Sequence, residues 1–396
     1  MKSKIAIILS LLILLCSCAV SNKKPSFNYV GSSTKGVWFS FSEINQMLQS
    51  ENGLEAELKS AVENCKKLQI NNVYIHLRSY CDSLYPSKLF PLIKSAARYD
   101  YDVFEMMLEA FHQSSIKVHA WINPYRVLSS SSDVEKLSKD SPAYKWLKDE
   151  NKENDKNVLF YNGIYLNPAE TEVQKLIIDG VKEIITNYDV DGIHLDDYFY
   201  PTKNEYFDKI SYEKYKNGSK NSLNLDDWRR FNVNNLLSGC YSAIKYYNKN
   251  IVFSVSPAAS IEKNYTDLYA DIKEWISGGY VDAIIPQLYF GYNYSDEAFR
   301  FNNILKNWLT LCKDNDVELL IGLAPYKIGT ATEADGTEWQ TETDILARQV
   351  KECYENERIS GYIFFSYSSL FSEESLNTKQ REAILEFTSG TGGQDI

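Results

Sequence analysis

Asp191-Gly-Ile-His-Leu-Asp-Asp197 is the stretch that decides the fold class, because it is a short strand-like run that ends in two adjacent carboxylates. Seven other short strand-like runs along the chain also end in a cluster of polar or aromatic residues. Nearly every pair of runs is separated by a segment with helical periodicity. Together with residues 192–197, these runs are 36–41 (GVWFSF), 72–78 (NVYIHLR), 117–123 (KVHAWIN), 251–257 (IVFSVSP), 283–289 (AIIPQLY), 319–325 (LLIGLAP) and 361–367 (GYIFFSY). Strands that alternate with helices form a parallel sheet, and eight such units predict an α/β fold, a (β/α)8 TIM barrel with long βα loops.

The ends of these strands indicate where the chemistry takes place. In barrels of this type the reacting groups lie at the carboxyl ends of the strands. Here those ends carry Arg78, Asn123, Asp196, Asp197, Gln287 and Tyr289. Within the strands, polar residues such as His76 alternate with aliphatic ones such as Ile75, which predicts a polar barrel axis suited to a polar ligand. Residues 129–165, 198–224 and 326–341 are expected to form long loops over the same mouth.

Composition and charge narrow the class of partner. The chain has 396 residues and a formal net charge of −11, and no Pro/Ser/Gly-rich linker divides it. We therefore expect one catalytic domain over residues 35–390. An acidic protein is a poor nucleic-acid binder, so no nucleic-acid partner is expected, and a neutral or cationic polymer is favoured. The cysteines at 65, 240, 312 and 353 lie on the apolar stripes of predicted helices, where a thiol acts as a small hydrophobe.

The N-terminus has the pattern of an export signal. Lys2 and Lys4 precede an apolar run, residues 5–15, that is too short for an ordinary membrane span. Leu15-Cys16-Ser17-Cys18 then resembles a bacterial lipobox, in which Cys18 fits better than Cys16 because the residue before it is small. We predict a lipoprotein signal peptide at 1–17, lipidation of Cys18 and a tether at 18–34. The expected location is extracytoplasmic, lipid-anchored to a bacterial membrane; simple secretion is the alternative.

The adjacent carboxylates Asp196 and Asp197 are the strongest candidates for catalysis. Like charges raise each other's pKa, and glycoside cleavage needs one protonated donor and one ionised nucleophile or base. We expect Asp196 to be the ionised group and Asp197 to be its acid partner, with Glu43 as a weaker candidate for the acid. The alternative for Asp197 is a structural role, capping a loop or pairing with Arg78 or Arg126.

A second cluster suggests sugar binding, because amides and guanidinium groups bind hydroxyls or an acetamide and aromatic rings stack on pyranose faces. In the alternative interpretation, Trp121 is a core ring and Arg126 a surface residue. The residues assigned to substrate binding are Arg78, His119, Trp121, Asn123, Tyr125, Arg126, His194, Tyr198, Gln287 and Tyr289.

Three histidines leave a different chemistry open. His76, His119 and His194 occupy inward positions on consecutive strands, close to Asp196. Together they could bind a divalent metal and activate water. The spacing favours a hydrogen-bonded histidine layer that supports the aspartates, so no metal and no other cofactor is expected.

At these residues the chain resembles the glycosyl hydrolase-like family 10 proteins. The matching pieces are Gly36-Val-Trp38, Ser83-Leu-Tyr-Pro-Ser-Lys88, His119-Ala-Trp-Ile-Asn-Pro-Tyr-Arg126, residues 191–201 and Pro286-Gln-Leu-Tyr289, in the expected order over roughly residues 34–370. The resemblance implies a TIM barrel, export, often a lipid anchor, and in some members cleavage of peptidoglycan glycan strands stripped of stem peptides. One departure is Ser256-Pro-Ala-Ala-Ser260, where many members have a Ser-Pro-Phe-Gly-like run.

A weaker likeness is to the Asp-Gly-x-Asp-x-Asp-x-Glu strand of chitinase-like enzymes. His194 replaces the middle Asp here and Tyr198 replaces the Glu that is the acid in those enzymes. Their mechanism therefore does not transfer, although N-acetylated sugars remain a reasonable substrate.

We predict an exported glycoside hydrolase of cell-wall glycan, with the membrane contacted through the lipid anchor. The alternatives are a metal-dependent polysaccharide hydrolase or deacetylase and a non-catalytic glycan-binding lipoprotein.

Overall fold

The computed structural model describes residues 33–391, and it contains the predicted closed barrel. The strands are β1 Thr34–Phe39, β2 Asn72–Arg78, β3 Lys117–Ile122, β4 Arg126–Ser129, β5 Val158–Phe160, β6 Gly163–Leu166, β7 Gly192–Leu195, β8 Val252–Val255, β9 Ala283–Ile284, β10 Glu318–Leu323 and β11 Ile359–Phe364. Each of the eight predicted runs contributes one barrel strand, and the barrel strands are parallel, in the closed order β1-β11-β10-β9-β8-β7-β3-β2.

Helices connect the barrel strands on the outside. The main ones pack apolar faces against the barrel, as the amphipathic α2, with Leu58, Ala61 and Cys65 buried, illustrates. The helices are α1 Phe41–Gln49, α2 Leu54–Lys67, α3 Val103–His112, α4 Pro142–Lys148, α5 Thr171–Asn187, α6 Lys209–Gly218, α7 Leu225–Tyr247, α8 Ile261–Asp267, α9 Ile272–Ser277, α10 Phe301–Cys312, α11 Glu338–Thr341, α12 Ile345–Tyr354, α13 Tyr367–Leu370 and α14 Ser375–Thr391.

The long segment after β3 contains a substructure that the sequence did not predict. It holds the helix expected near residues 143–147, now α4, but it also forms a three-stranded antiparallel sheet in the order β4-β6-β5. The sheet begins at Arg126, so the arginine expected at the mouth lies on an ordered strand rather than in an open loop.

Two layers of core lie on either side of the barrel wall. The outer layer includes the aliphatic faces of the strands, such as Val73 and Ile75, and the predicted buried cysteines. The inner layer fills the barrel axis with Trp38, Tyr74, Trp121, Ala283, Ile285, Leu320 and Ile363. The axis is therefore packed below its polar mouth, as the barrel fold requires.

A bulge interrupts the pairing of β2 with β3 and changes the direction of Arg78. His76 pairs with Trp121, but Arg78 pairs with Ile122, so one residue of β2 has no partner. A single extra residue moves the following side chain to the opposite face of the sheet. Arg78 accordingly lies over the ring of Phe90, at 4.4 Å from its centroid, and next to Gly180 of α5.

Buried polar contacts fasten the loops of the mouth to the helix layer. The Arg229 guanidinium of α7 donates to Asp208, and neither side chain is exposed. It also donates to the carbonyl of Asn204 at 2.8 Å, which holds the segment after β7 in place. In the same way, Glu183 of α5 accepts from the Tyr85 hydroxyl at 3.0 Å and the Lys88 amide at 2.7 Å. Residues 83–88, in the loop after β2, are thus held against α5.

The predicted signal peptide, Cys18 and nearly all of the tether lie outside the described residues. Among residues 33–391, no helix combines the length and apolarity needed to cross a membrane.

Candidate active site

A cavity of about 310 Å³ opens at the carboxyl ends of the strands. It brings together eight of the residues singled out from the sequence for catalysis or sugar binding, namely Asp196, Asp197, Trp121, Arg126, His194, Tyr198, Gln287 and Tyr289. The position agrees with the general location of active sites in TIM barrels.

Asp196 is the most buried carboxyl group of this cavity, with 3% of the residue exposed. Its Oδ2 accepts a hydrogen bond from the Trp121 indole at 3.1 Å, and Asn123 donates to both carboxyl oxygens at 3.3–3.4 Å. The Tyr198 amide donates to Oδ1 at 3.3 Å. These donors fix the direction of the carboxyl group toward the cavity.

The environment of Asp196 favours its protonated form. Burial raises the pKa of Asp196 to about 7, and the neighbouring charge of Asp197 adds to this effect. The Arg126 charge and the Trp121 hydrogen bond oppose the increase but do not cancel it. Asp196 can therefore hold a proton near neutral pH.

Asp197 lies in a more open environment. The residue is half-buried, its carboxylate accepts a hydrogen bond from the Gln287 side chain, and Arg126 stabilises its charge. Burial still raises the pKa of Asp197 above its usual range. Because Asp196 is the more buried of the two and its pKa is raised to about 7, Asp196 is the carboxyl group that holds a proton near neutral pH.

The end of β7 explains how neighbouring aspartates reach one cavity. Consecutive residues of a strand point to opposite faces, but β7 ends at Leu195, before either carboxylate. The chain then turns, with the Phe199 amide donating to the carbonyl of Asp197 at 3.0 Å. The turn frees both side chains from the alternation of the strand.

Aromatic rings form one wall of the cavity. Phe365 stacks against Tyr289 with ring centroids 5.7 Å apart, and Tyr326 contacts both rings edge-on. Tyr198 lies on the outside, 54% exposed, with the Arg126 guanidinium 3.8 Å from its ring centroid. Rings exposed in this way are suited to stacking on a sugar.

His194 is neutral and fully engaged at the base of the cavity. Its Nε2 accepts from the Trp38 indole at 3.2 Å, and an indole nitrogen only donates, so Nδ1 carries the proton and donates to Ser254 Oγ at 2.8 Å. Burial lowers the pKa of His194 well below its usual value.

The three inward histidines do not converge on one point. His119 donates from Nε2 to Asn72 at 2.9 Å and stacks on Tyr74, whereas His76 stacks on Trp121 with centroids 3.7 Å apart. Within residues 33–391, no group of three or more His, Cys, Asp or Glu side chains is arranged to hold a metal ion. The histidines form supporting layers instead.

Comparison with known proteins agrees with this geometry. A family model described as glycosyl hydrolase-like 10 matches residues 33–341. The chain belongs to the glycosyl hydrolase-like 10 family. Glycosyl hydrolase YngK of Bacillus subtilis is 30% identical over 368 residues, which cover 85% of this chain and 68% of YngK. Glycosyl hydrolase DigH of Escherichia coli is 26% identical, with 98% of this chain and 96% of DigH covered.

Solved structures agree in fold. An α-L-fucosidase from Paenibacillus thiaminolyticus has a TM-score of 0.55 and 13% identity over 90% of this chain, which spans only 49% of that enzyme. A family 18 chitinase from Cycas revoluta has a TM-score of 0.52 and 11% identity, with 90% of this chain and all of the chitinase covered. Membership of the glycosyl hydrolase-like 10 family supports a glycan hydrolase.

In this glycosyl hydrolase-like 10 protein, four predicted site residues lie away from the cavity. Arg78 faces the helix layer because of the bulge in β2, and Tyr125 is a fully buried member of the outer core because β3 ends before it. His119 lies one layer deeper in the barrel axis. Glu43 accepts from the Ser40 amide at 2.7 Å, the Ser366 hydroxyl at 2.7 Å and the Ser368 amide at 2.6 Å, so it is a helix cap and not an available acid.

Asn123 and Trp121 act differently from the sequence expectation. Asn123 does not line the cavity but donates to Asp196, and its own Oδ1 accepts from the Arg126 amide at 3.1 Å, so it positions the carboxylate. Trp121 donates to Asp196 and has one face covered by His76. Trp121 therefore combines both interpretations, because it belongs to the inner cluster and also lines the cavity.

Several lining residues were not predicted as part of the family site. Trp38 lies in β1 and Phe365 directly follows β11. These two strands are far apart in sequence but adjacent in space, because β1 pairs with β11. The complete set that was missed is Trp38, Ser40, Phe41, His76 as a cavity residue, Ser256, Tyr326 and Phe365.

Proposed function

We propose that this chain is a glycoside hydrolase that cleaves peptidoglycan-type, N-acetylated glycan with Asp196 and Asp197. The observation that carries the proposal is the inequality of these two carboxyl groups within one aromatic cavity. Glycoside cleavage requires this inequality, one carboxyl group that holds a proton and one that is ionised.

Asp196 would donate its proton to the glycosidic oxygen as the bond to the sugar breaks. Asp197 would act in its ionised form, either as a nucleophile on the anomeric carbon or as the base that activates water. These roles are the reverse of those expected from the sequence, because burial acts more strongly on Asp196. Gln287 and Arg126 would keep Asp197 charged.

The type of sugar is inferred from the lining. Tyr289, Phe365 and Tyr326 offer ring faces and edges for pyranose stacking. The strand sequence Asp191-Gly-Ile-His-Leu-Asp-Asp-Tyr198 is similar to that of chitinase-like enzymes, and the chitinase that shares the fold is described in complex with an N-acetylglucosamine tetramer. Both support an N-acetylated glycan.

The location is part of the same proposal. A lipid on Cys18 and a tether up to residue 34 would hold the barrel outside the cytoplasmic membrane, within reach of the cell wall. Acyl chains contribute about 0.8 kcal/mol per buried CH₂, so several chains give a stable anchor.

The test is digestion of purified peptidoglycan, with and without prior removal of stem peptides, by the full-length chain. Mass spectrometry of the soluble products would compare wild type with Asp196→Asn. Disaccharide-containing fragments from the stripped glycan, absent with the variant, are expected. Release of acetate without chain cleavage, abolished by a chelator, would instead indicate the metal-dependent deacetylase. Tight glycan binding without any product would indicate a glycan-binding protein.

A further inference from the structure

A second cleft borders the candidate active site. Its volume is about 650 Å³, and it lies between α1, the loop after β2 and the segment around residues 127–141. Phe41 and His76 line both the cleft and the catalytic cavity. Phe41 also contacts the ring of Tyr80, a residue of the cleft, edge-on at 5.3 Å. The two concavities therefore adjoin at Phe41 and His76.

His76 on this shared wall has polar atoms that the protein does not satisfy. The residue is 5% exposed, and neither ring nitrogen has a hydrogen-bond partner among the described residues. Burial lowers the pKa of His76 to about 3, so the ring is neutral and offers one donor and one acceptor. Buried polar atoms are normally paired, and these two therefore await a ligand or water at the junction.

The far side of the cleft is cationic, although the protein as a whole is acidic. Lys94, Arg98 and Lys136 line it, and all three are exposed. Within residues 33–391, none of the three has a carboxylate at salt-bridge distance; Lys136 donates to the Ser131 hydroxyl at 3.3 Å. Cations that are not neutralised inside a cleft create a positive potential there.

One carboxylate also lines the cleft, but it is already engaged. Asp82 Oδ1 accepts hydrogen bonds from the amides of Tyr80 at 3.0 Å and Ser79 at 3.3 Å. Asp82 thus stabilises the turn after β2. Three cations therefore face one internally bonded carboxylate.

The rim that carries these cations is held in place. The Ser95 hydroxyl, next to Lys94, donates to the Asn45 side chain of α1 at 2.5 Å. The Tyr99 hydroxyl, next to Arg98, donates to the carbonyl of Leu48 at 2.9 Å. The backbone that carries Lys94 and Arg98 is therefore fastened to α1, which keeps these two residues beside the cleft.

We propose that this cleft is a second glycan subsite, which binds a saccharide unit carrying a free carboxylate while the neighbouring unit lies at Asp196 and Asp197. The inference rests on the proposed glycosidase function and specifies its substrate as an acidic glycan. Such a glycan is negatively charged, whereas the net charge of the protein favoured a neutral or cationic polymer. In a peptidoglycan strand without stem peptides, the free carboxylate is that of the lactyl ether, whereas a stem peptide converts it to a neutral amide.

The test compares one glycan in two charge states. Peptidoglycan strands without stem peptides are used either untreated or with their carboxylates converted to methylamides. The full-length wild type is compared with Lys94→Gln/Arg98→Gln and with Lys59→Gln/Lys66→Gln, a control that removes the same charge from the exposed face of α2. Exposed ion pairs contribute modestly, so the cleft variant should show a KM roughly threefold to tenfold higher on the untreated glycan, with kcat unchanged.

The same variant should behave as wild type on the methylamide glycan, and the control variant should behave as wild type on both. Equal effects on both glycans, or no effect on either, would overturn the subsite. If wild type cleaves neither glycan, the proposed function fails separately. Equilibrium binding of the two glycans then decides the subsite: preference for the carboxylate form that is lost in the cleft variant supports it, and an unchanged preference overturns it.

Discussion

Within residues 33–391, both histidines at the floor of the barrel are hydrogen-bonded, whereas the histidine at its mouth is not. At the floor, His194 is bonded on both ring nitrogens, to Trp38 and Ser254. His119 is bonded through Nε2, and its Nδ1 is packed so closely on Gly192 that a Cβ there would lie 2.1 Å away. At the mouth, His76 is similarly buried, but neither of its nitrogens is bonded in the part of the chain that the structure describes.

The difference distinguishes histidines that stabilise the fold from a histidine that is available for function. Close packing and hydrogen bonds to three of the four histidine nitrogens stabilise the floor, since a buried polar group without a partner costs about 1–3 kcal/mol. The mouth retains such a group, together with a carboxyl group whose pKa is raised to about 7. Features that lower stability in this way are typical of functional sites.

The largest expected effect is on catalysis at the mouth. Asp196→Asn removes the proton donor, so kcat on glycan without stem peptides should fall by about 10²–10⁴-fold while the protein stays folded. The matched control is Asp191→Asn in the same segment, because Asp191 accepts from His112 and the Val118 amide, outside the cavity. That variant should lose stability and keep its activity per folded molecule. An Asp196→Asn enzyme that retains a tenth of the activity would remove Asp196 from the mechanism.

The next effect is on stability at the floor. His119→Ala removes the stack on Tyr74 and the bond to Asn72, so the free energy of unfolding should fall by about 2–4 kcal/mol. Urea denaturation measures this loss, and kcat/KM of the remaining folded enzyme should stay within about twofold. A large loss of activity without a loss of stability would mean that the floor takes part in catalysis.

A third effect is the pH dependence of stability that Asp196 causes. A carboxyl group with a raised pKa binds its proton more tightly in the folded state, so its cost to stability grows as pH rises from about 4 to about 7 and is constant above. The stability advantage of Asp196→Asn over wild type should therefore be larger at pH 8 than at pH 5, by about 1–3 kcal/mol. Urea denaturation at the two pH values checks it, and an advantage that is independent of pH would contradict the raised pKa.

The smallest effect separates the packing of His76 from its polar atoms. His76→Phe keeps a ring on Trp121 and removes the two unbonded nitrogens, so stability should change by less than about 1 kcal/mol. If these nitrogens bind the glycan, kcat/KM should fall by about tenfold. Steady-state kinetics beside a thermal unfolding curve measures both; a stable variant with unchanged kinetics would show that His76 only packs.

The fold was predictable because each strand and its flanking helix carry a local signal. Residues 72–78 alternate clearly, and the observed β2 has the same bounds. The small antiparallel sheet of β4, β5 and β6 was missed because its three short strands lie within a segment that was predicted to be a loop. Such short pairings depend on contacts with a partner strand rather than on periodicity.

The site was predictable only in its position at the strand ends. Asp196, Asp197 and Gln287 lie where the strand ends placed them, but the bulge that turns Arg78 away depends on the pairing with β3. Glu43 was recoverable, because Ser40-Phe-Ser-Glu43 is the pattern of a capping box. The roles of the two aspartates were not, since a pKa depends on burial, which exists only in the folded chain.

The pH dependence of kcat/KM tests the central claim most directly, because it reports the ionisation of the free enzyme. With peptidoglycan strands that lack stem peptides as substrate, wild type should lose activity as pH rises through about 7, the pKa at which Asp196 gives up its proton. The pH range should extend from about 6 to about 9, which is about two units above that pKa. Activity that stays constant or increases over this range would contradict Asp196 as the proton donor.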